Sequence, residues 1–541
     1  MSDFDTDVLV VGAGPTGLTL AAELAARGVG CRIVEKAPSR STHSRALVVQ
    51  PRTLELFRAM GFADDLVAVG QHSLSINLHV RGRRVVSVDI EDIGLETTPY
   101  PYLLFVSQAE TERCLDAHLA SLGCQIERPV ELTSFKDDGS AVVAELSGPG
   151  GTETVRARYL IGCDGAHSAV RRGAGLAFEG DAYPQEFMLA DVDCDWEHGH
   201  GGVHLFFGRG GVFVGLPMAG EHAYRFITAR HIGKDAPTDD PTLEEVVAVG
   251  EDITGTRLPL SNPRWLARFR LHHRGVDRYS KGRVFVAGDA AHIHSPAGGQ
   301  GMNTGIQDAY NLAWKLAFVV QGQASPSLLD SYHDERHPIG QFLLKFTDRL
   351  FRLGSSSNWA LAQLRALVLP RVAPLIFNDR KRRARAFRFV SQLAVHYRSS
   401  SIAIEPSSTR GLGKLVRAGD RAPDADLADA GRLFDHICGP GFSVLALVAE
   451  LADVGSLTRT LQEALGPWAI DTRLTFVTST AAKVRQHVLY DAHGQAFERY
   501  GVRDRALFLI RPDGHVATRC AGLDPAPISA WFEQATNDTP S

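Results

Sequence analysis

Residues Gly12, Ala13, Gly14, Pro15, Thr16 and Gly17 set three glycines in the spacing GxGxxG, directly after the apolar run 7–11. Residues 18–27 read as a helix, and a second apolar run ends at Glu35. Gly12 permits a tight turn, Gly14 has no Cβ to hold a pyrophosphate away, and Gly17 lets helix and strand pack closely. The helix N-terminus then turns its free amides and positive dipole toward phosphate. Glu35 stands near the offset of about twenty residues at which a carboxylate accepts from ribose hydroxyls. This is the chemistry of a dinucleotide cradle.

A second stretch, "VFVAGDAAHIHSPAGGQGMNTGIQDAYNLAWKLA" (284–317), again puts glycine and a carboxylate, Asp289, at the end of a buried strand. Asp289 suits a polyol chain such as ribityl. The plainer reading makes it a helix cap. Pro296 and a glycine-rich loop that includes Gly299 bring backbone close to something flat. The next helix presents its N-terminus at Gly301, Met302 and Asn303. A helix N-terminus stabilises negative charge, which the N1–O2 edge of a reduced flavin carries. The two stretches together therefore select FAD over NAD as the resident cofactor. His292 and His294 alternate within the second stretch and are read as structural, as are His43 and His167, so no metal site is expected.

The elements that must position these residues fall into three regions. Residues 1–175 and 281–400 read as a dinucleotide-binding domain with long helices. Residues 176–280 carry alternating strand patterns such as "GVHLFFGRGGVFVGLPM" (202–218). After a Ser-, Gly- and Pro-rich entry, residues 410–541 hold apolar strands and a hairpin turning at Pro512, Asp513 and Gly514. A chain of 541 residues is too long for one ordinary core. A net charge of −5 argues against a nucleic-acid surface, and the run "RKRRARAFR" (380–388) reads as a solvated helix face. Seven scattered cysteines have neither metal-ligand nor CxxC spacing. With no apolar run of about eighteen residues and no signal-like start, no membrane insertion is expected, and the expected location is a reducing cytoplasm.

The GxGxxG with Glu35, the stretch "CDGAHSAVR" (163–171) and the stretch at 284–317 closely resemble the single-component flavoprotein aromatic hydroxylases of the para-hydroxybenzoate hydroxylase fold. The resemblance spans about 1–390 and is nearest to members acting on polyketides, rifamycins, tetracyclines and phenylpropionates. It implies an α/β fold: a Rossmann-like FAD-binding domain, an inserted, mostly antiparallel β-sheet substrate domain, and a thioredoxin-like α/β domain at the C-terminus. By position, it implies that Gly12, Gly14, Thr16 and Gly17 hold the pyrophosphate of non-covalent FAD and that Glu35 and Lys36 hold the adenosine end. Arg45 and Gln108 fall on the flavin side, and Asp164, with Ser168 and Arg171, near the pyrophosphate. Asp289 falls at the ribityl or phosphate, and Gly299, Gly301, Met302 and Asn303 against the isoalloxazine. Arg45 and Pro296 are the residues carried over to the catalytic side.

No second GxGxxG sits between a strand and a helix, so the resemblance implies that NADH or NADPH visits transiently and that O2 reacts through a flavin C4a-hydroperoxide. The implied reaction is hydroxylation of a phenolic or quinonoid aromatic of polyketide type. A small phenolic acid, a Baeyer–Villiger or epoxidation outcome, and a flavin-binding sensor without turnover stay open. Phe206, Phe213, Tyr224 and Arg225 lie in strand patterns of the middle region and are the expected pocket residues, with core or the outer face as the alternative. In the C-terminal part the turn Cys438-Gly-Pro-Gly441 offers only one thiol where a working thioredoxin needs a pair, which points to a redox-inert domain with a structural or homodimer-contact role.

Overall fold

In the computed structural model, the first apolar run becomes the strand Thr6–Val11, buried along nearly its whole length. The described residues are 3–41, 46–93, 95–208, 211–231, 239–294, 298–355, 359–409, 412–450, 453–469, 472–480 and 488–536. Thr6–Val11 lies parallel to Cys31–Val34 on one side and to Gly151–Gly162 on the other. Ile126–Glu127 and Val284–Val286 extend the same parallel layer outward. Strands buried on both faces need apolar side chains on both, and "DVLVV", "RIV" and "VFV" supply them. The helices Pro15–Ala26 and Gly301–Val320 cover this layer; the second is buried over nearly its whole length.

A second sheet of eight strands runs His292–Ile293, Leu260–Val276, Phe178–Cys194, Ala223–His231, Gly211–Pro217, Gly202–Phe207, Ser75–Val80, Arg83–Asp89. Every neighbouring pair is antiparallel except Gly202–Phe207 beside Ser75–Val80. The last two strands come from the first region of the chain, so this sheet reaches beyond residues 176–280. The helix Leu243–Thr254 covers one face.

The C-terminal sheet is mixed. Phe442–Val448 is its buried centre, parallel to Thr472–Thr478 and antiparallel to Arg505–Ile510, with Val488–Tyr490 and Val516–Ala521 at the edges. Helices Val454–Leu465 and Ala526–Thr536 pack on it, the thioredoxin-like arrangement. The basic run forms the helix Arg380–Val390, in which Phe387 is the one buried residue.

Where this domain meets the first one, the hairpin turn is buried rather than solvated. Arg511 binds Glu335 at 2.6 Å and Asp513 at close range, and Glu335 binds Lys315 at 2.8 Å. Asn311 donates to Asp513 at 3.2 Å and Ser400 to Glu335 at 2.8 Å. Arg52 reaches the Asp513 carbonyl and pairs with Glu55, which also takes Arg421 at 3.0 Å. Burial alone would raise the Glu335 carboxyl, but Arg511 and Lys315 outweigh it and hold it down at about 2.

Candidate functional site

The three motifs converge. The first meets the second at Gly12, whose φ of +103° suits glycine and whose Cβ would lie 2.4 Å from the Cys163 carbonyl oxygen. The first meets the third at Thr16: its hydroxyl would lie 2.6 Å from a Cβ on Gly288 and 2.4 Å from one on Gly305. The second meets the third through Arg171, which donates to the Ala290 carbonyl at 2.9 Å and to Ala166 at 2.8 Å, its guanidinium 3.8 Å from the centre of the Phe178 ring. Ser168 caps the short helix that carries Arg171. Gly17 closes the turn from behind, since a Cβ there would stand 1.9 Å from the Gly12 carbonyl oxygen.

Two helix N-termini in this cluster lack a side-chain cap. Gly14 precedes Pro15–Ala26 and Gln300 precedes Gly301–Val320, and neither donates or accepts as a cap. By contrast, Ser107, Ser168 and Thr242 cap their helices with side-chain oxygens. The first amides of an uncapped helix have no intrahelical acceptor and are available to an anion.

FAD fits these residues. A Cβ on Gly14 would meet nothing within 4 Å, so the phosphate side of the cradle is open. Asp164 accepts from Ala169 and Val170 through one oxygen, and its other oxygen, Oδ1, is buried without a partner. Glu35 is held in place by the amides of Ala13 and Ala37, each at 2.9 Å, and is half-buried at the strand end where a ribose would lie. Lys36 beside it is exposed.

At the other end, Asp289 is exposed on the turn Gly288–Ala290. Gly299, at φ +63°, packs against Val48, where a Cβ would come within 2.8 Å. Met302 packs partly buried on the main core. The Asn303 side chain faces away from the groove: it accepts from the Gln50 amide at 2.9 Å and donates to the Val48 and Gly299 carbonyls at 2.8 Å. What Asn303 offers a ligand is its backbone amide. Gln108 donates to Glu112 at 2.8 Å, and burial pushes the Glu112 carboxyl up. The Gln108 amide in turn donates to the Ala46 carbonyl at 3.2 Å. Arg45 and Pro296 lie outside the described residues.

Of the expected pocket residues, Phe206, Phe213 and Tyr224 take the opposite face of the sheet. They pack with Met188 and Val192 under Val246, Val249 and Ile253 of the covering helix. Side chains alternate along a strand, so a one-residue difference in parity decides which face each occupies. Arg225 lies on the other face, where it binds Asp191 at 2.6 Å and reaches toward the Ala46 carbonyl at 3.5 Å. On that inner face Leu205, Val212, Val214, Leu216 and Ile227 are only half-buried, an apolar surface left partly uncovered.

Sequence reasoning also missed Asp308. It is fully buried on the helix behind the third motif, where it accepts from the Gly288 amide at 3.2 Å and binds His292 and Arg336, both at 2.7 Å. Burial alone would raise its carboxyl, but Arg336 and His292 hold it below its usual range. An acid about two turns into the helix that follows the glycine loop was the available signal. In the C-terminal domain, burial pushes the Cys438 thiol up to about 12, opposite to an activated thiol. No helix among the described residues is long and apolar enough to cross a membrane.

The FAD binding domain family matches residues 5–347. The chain is 41% identical over 405 residues to 6-methylpretetramide 4-monooxygenase of Streptomyces rimosus, covering 73% of this chain and 70% of that one. It is 32% identical to pentachlorophenol 4-monooxygenase of Sphingobium chlorophenolicum, over 96% of this chain and 94% of that one. Among solved structures, a ternary complex of aklavinone-11 hydroxylase with FAD and aklavinone superposes with a TM-score of 0.78 at 27% identity, covering 99% of both chains.

Proposed function

We propose, for a chain that belongs to the FAD binding domain family and is an FAD-dependent aromatic monooxygenase, that it hydroxylates a bulky phenolic or quinonoid ring system of polyketide type. The reaction consumes NAD(P)H, a proton and O2, and places one oxygen atom on a ring carbon while the other leaves as water. The observation that carries this reading is the meeting of three motifs at Gly12, Thr16 and Ala290, beside a half-covered apolar sheet face.

FAD supplies the redox chemistry when bound. The chain's own residues do the rest. The uncapped amides after Gly14 and the open space above it receive the pyrophosphate. Glu35, already fixed by two amides, accepts from the ribose. Asp164 Oδ1, which has no partner within the protein, would accept a hydrogen bond from the cofactor, and Asp289, exposed on its turn, would accept one from the polyol chain. The amides of Gly301, Met302 and Asn303 hold negative charge at the ring edge. Arg171 and Asp308 position these loops without touching the reacting atoms.

The inner sheet face, Leu205, Val214, Leu216 and Ile227, would wall a planar apolar substrate and keep water from it. Arg225, buried on the same face and held to Asp191 by two hydrogen bonds, fixes the sheet beside that space. We place the protein in the cytoplasm, where NAD(P)H is supplied. The test is NAD(P)H consumption and product mass with a tetracyclic phenol, a chlorinated phenol and a small phenolic acid offered in parallel. Fastest coupled turnover on the tetracycle, with a ring hydroxyl found by NMR, is expected. Preference for a small phenol would overturn the substrate class, and a lactone product would overturn hydroxylation.

A further inference from the structure

We propose that His79, His198 and His204 form a binding site for a zinc-class divalent cation on the outer face of the antiparallel sheet. One ring nitrogen from each of the three lies within 4.8 Å of the others. His79 Nε2 and His204 Nδ1 are 3.2 Å apart. Two nitrogens of a tetrahedral zinc site, each about 2.05 Å from the metal, stand about 3.3 Å apart. That pair already has the required bite, and His198 has only to swing inward.

The surroundings are built for rigidity. His79 stacks on Phe206 at 4.2 Å, and Trp196 lies edge-on to His204 at 4.7 Å. Asn77 donates to Ser75 at 2.9 Å and accepts from Ser87 at 2.8 Å, fixing the strand beside the cluster. Gly202 leaves room for all of this: a Cβ there would come within 3.0 Å of His204 Nε2, Asn77 Nδ2 and Ser75 Oγ. His204 is 1% exposed, and its Nε2 is buried without a hydrogen-bond partner. His198 is half-buried, which gives an ion a way in and leaves one position for water.

Three imidazoles without a thiolate or carboxylate among them suit Zn2+, Ni2+, Co2+ or Cu2+ and not Mg2+ or Ca2+. The ion would clasp the strands Ser75–Val80 and Gly202–Phe207 to the loop that carries His198. Leu78 and Leu205, on the reverse side of the same strands, belong to the inner face, so the clasp would stiffen the wall of the substrate space.

The test uses the flavin-loaded enzyme, stripped with a chelator, titrated with Zn2+ and counted for bound metal, with Co2+ as a visible reporter. One zinc per chain and the strong visible bands of a four-coordinate cobalt site are expected. His198→Ala should cut bound zinc to below about a tenth while the flavin content stays unchanged. His333→Ala, which breaks the His333–His337 pair stacked at 4.6 Å on the helix Asp330–Ser355, should leave the zinc unchanged. Absence of stoichiometric zinc, full retention in His198→Ala, or loss in His333→Ala would each overturn the assignment.

Discussion

The seam between the first and the C-terminal domains and the groove formed by the three motifs both depend on charge, yet they are built in opposite ways. In the seam, Lys315, Glu335 and Arg511 are fully buried and each binds a charged partner within the protein. In the groove, glycine and bare helix amides dominate; Asp289 is exposed, Glu35 is half-buried, and one Asp164 oxygen is unmatched. A buried charge that is fully paired holds parts of the chain together, and removing one partner strands the rest. A polar group left short of a partner within the protein is what a ligand can complete.

The comparison breaks first, and hardest, at Glu335. Glu335→Ala would leave Arg511 and Lys315 buried without their carboxylate and should cost about 3–5 kcal/mol of stability, read by urea denaturation. Flavin per folded chain should stay the same; parallel loss of flavin would mean that seam and groove are one unit. Gly17→Ala should do the reverse. Its Cβ would collide with the Gly12 carbonyl, displace the turn and reduce bound flavin to below about a tenth, measured as absorbance per folded chain checked by circular dichroism. Normal flavin content in this variant would show that the turn tolerates what the geometry forbids.

Asp289→Ala sharpens the groove side. Loss of one hydrogen bond to a charged group is worth about 1.5–3 kcal/mol, so the FAD Kd should rise roughly 10- to 150-fold in a fluorescence titration. An unchanged Kd would remove Asp289 from the cofactor. The mildest test is acid. Burial lowers His515, beside Asp513, to about 4, so between about 6.5 and 4 the unfolded chain binds a proton that the folded chain does not. Stability therefore falls as pH drops through that window, by about 1 kcal/mol at pH 5.5 from this group. Below about 4.5 the depressed Glu335 adds its own loss, down to about 2. Urea midpoints across pH check this, and His515→Gln should flatten the upper part of the slope.

What was legible in the sequence follows from the range of the forces involved. The turn at Gly12–Gly17 and the helix entry at Gly301 are local backbone geometry, and glycine spacing reports that directly. The class of fold followed because three such signals occur in order along one chain. The faces of the antiparallel sheet were not legible, because Tyr224 and Arg225 differ by one step of alternation and both are buried. The histidine cluster joins residues 125 positions apart on strands whose parallel pairing no local pattern announces. The seam was hidden for another reason: Pro512, Asp513 and Gly514 spell an ordinary surface turn, and only docking shows that the turn is an anchor.

That anchor limits how the protein can be re-engineered. The wall that receives it, Asn311 and Lys315, lies on the same helix whose uncapped first turn we propose for the flavin. A tail grafted from a relative would need to arrive with its own counterpart to Arg511 and Asp513, or the host would be left with a carboxylate and an ammonium facing hydrocarbon. Chimaeras should therefore exchange the hairpin together with residues 311, 315 and 335 as one cassette, and libraries that shuffle the tail alone should yield mostly insoluble chains.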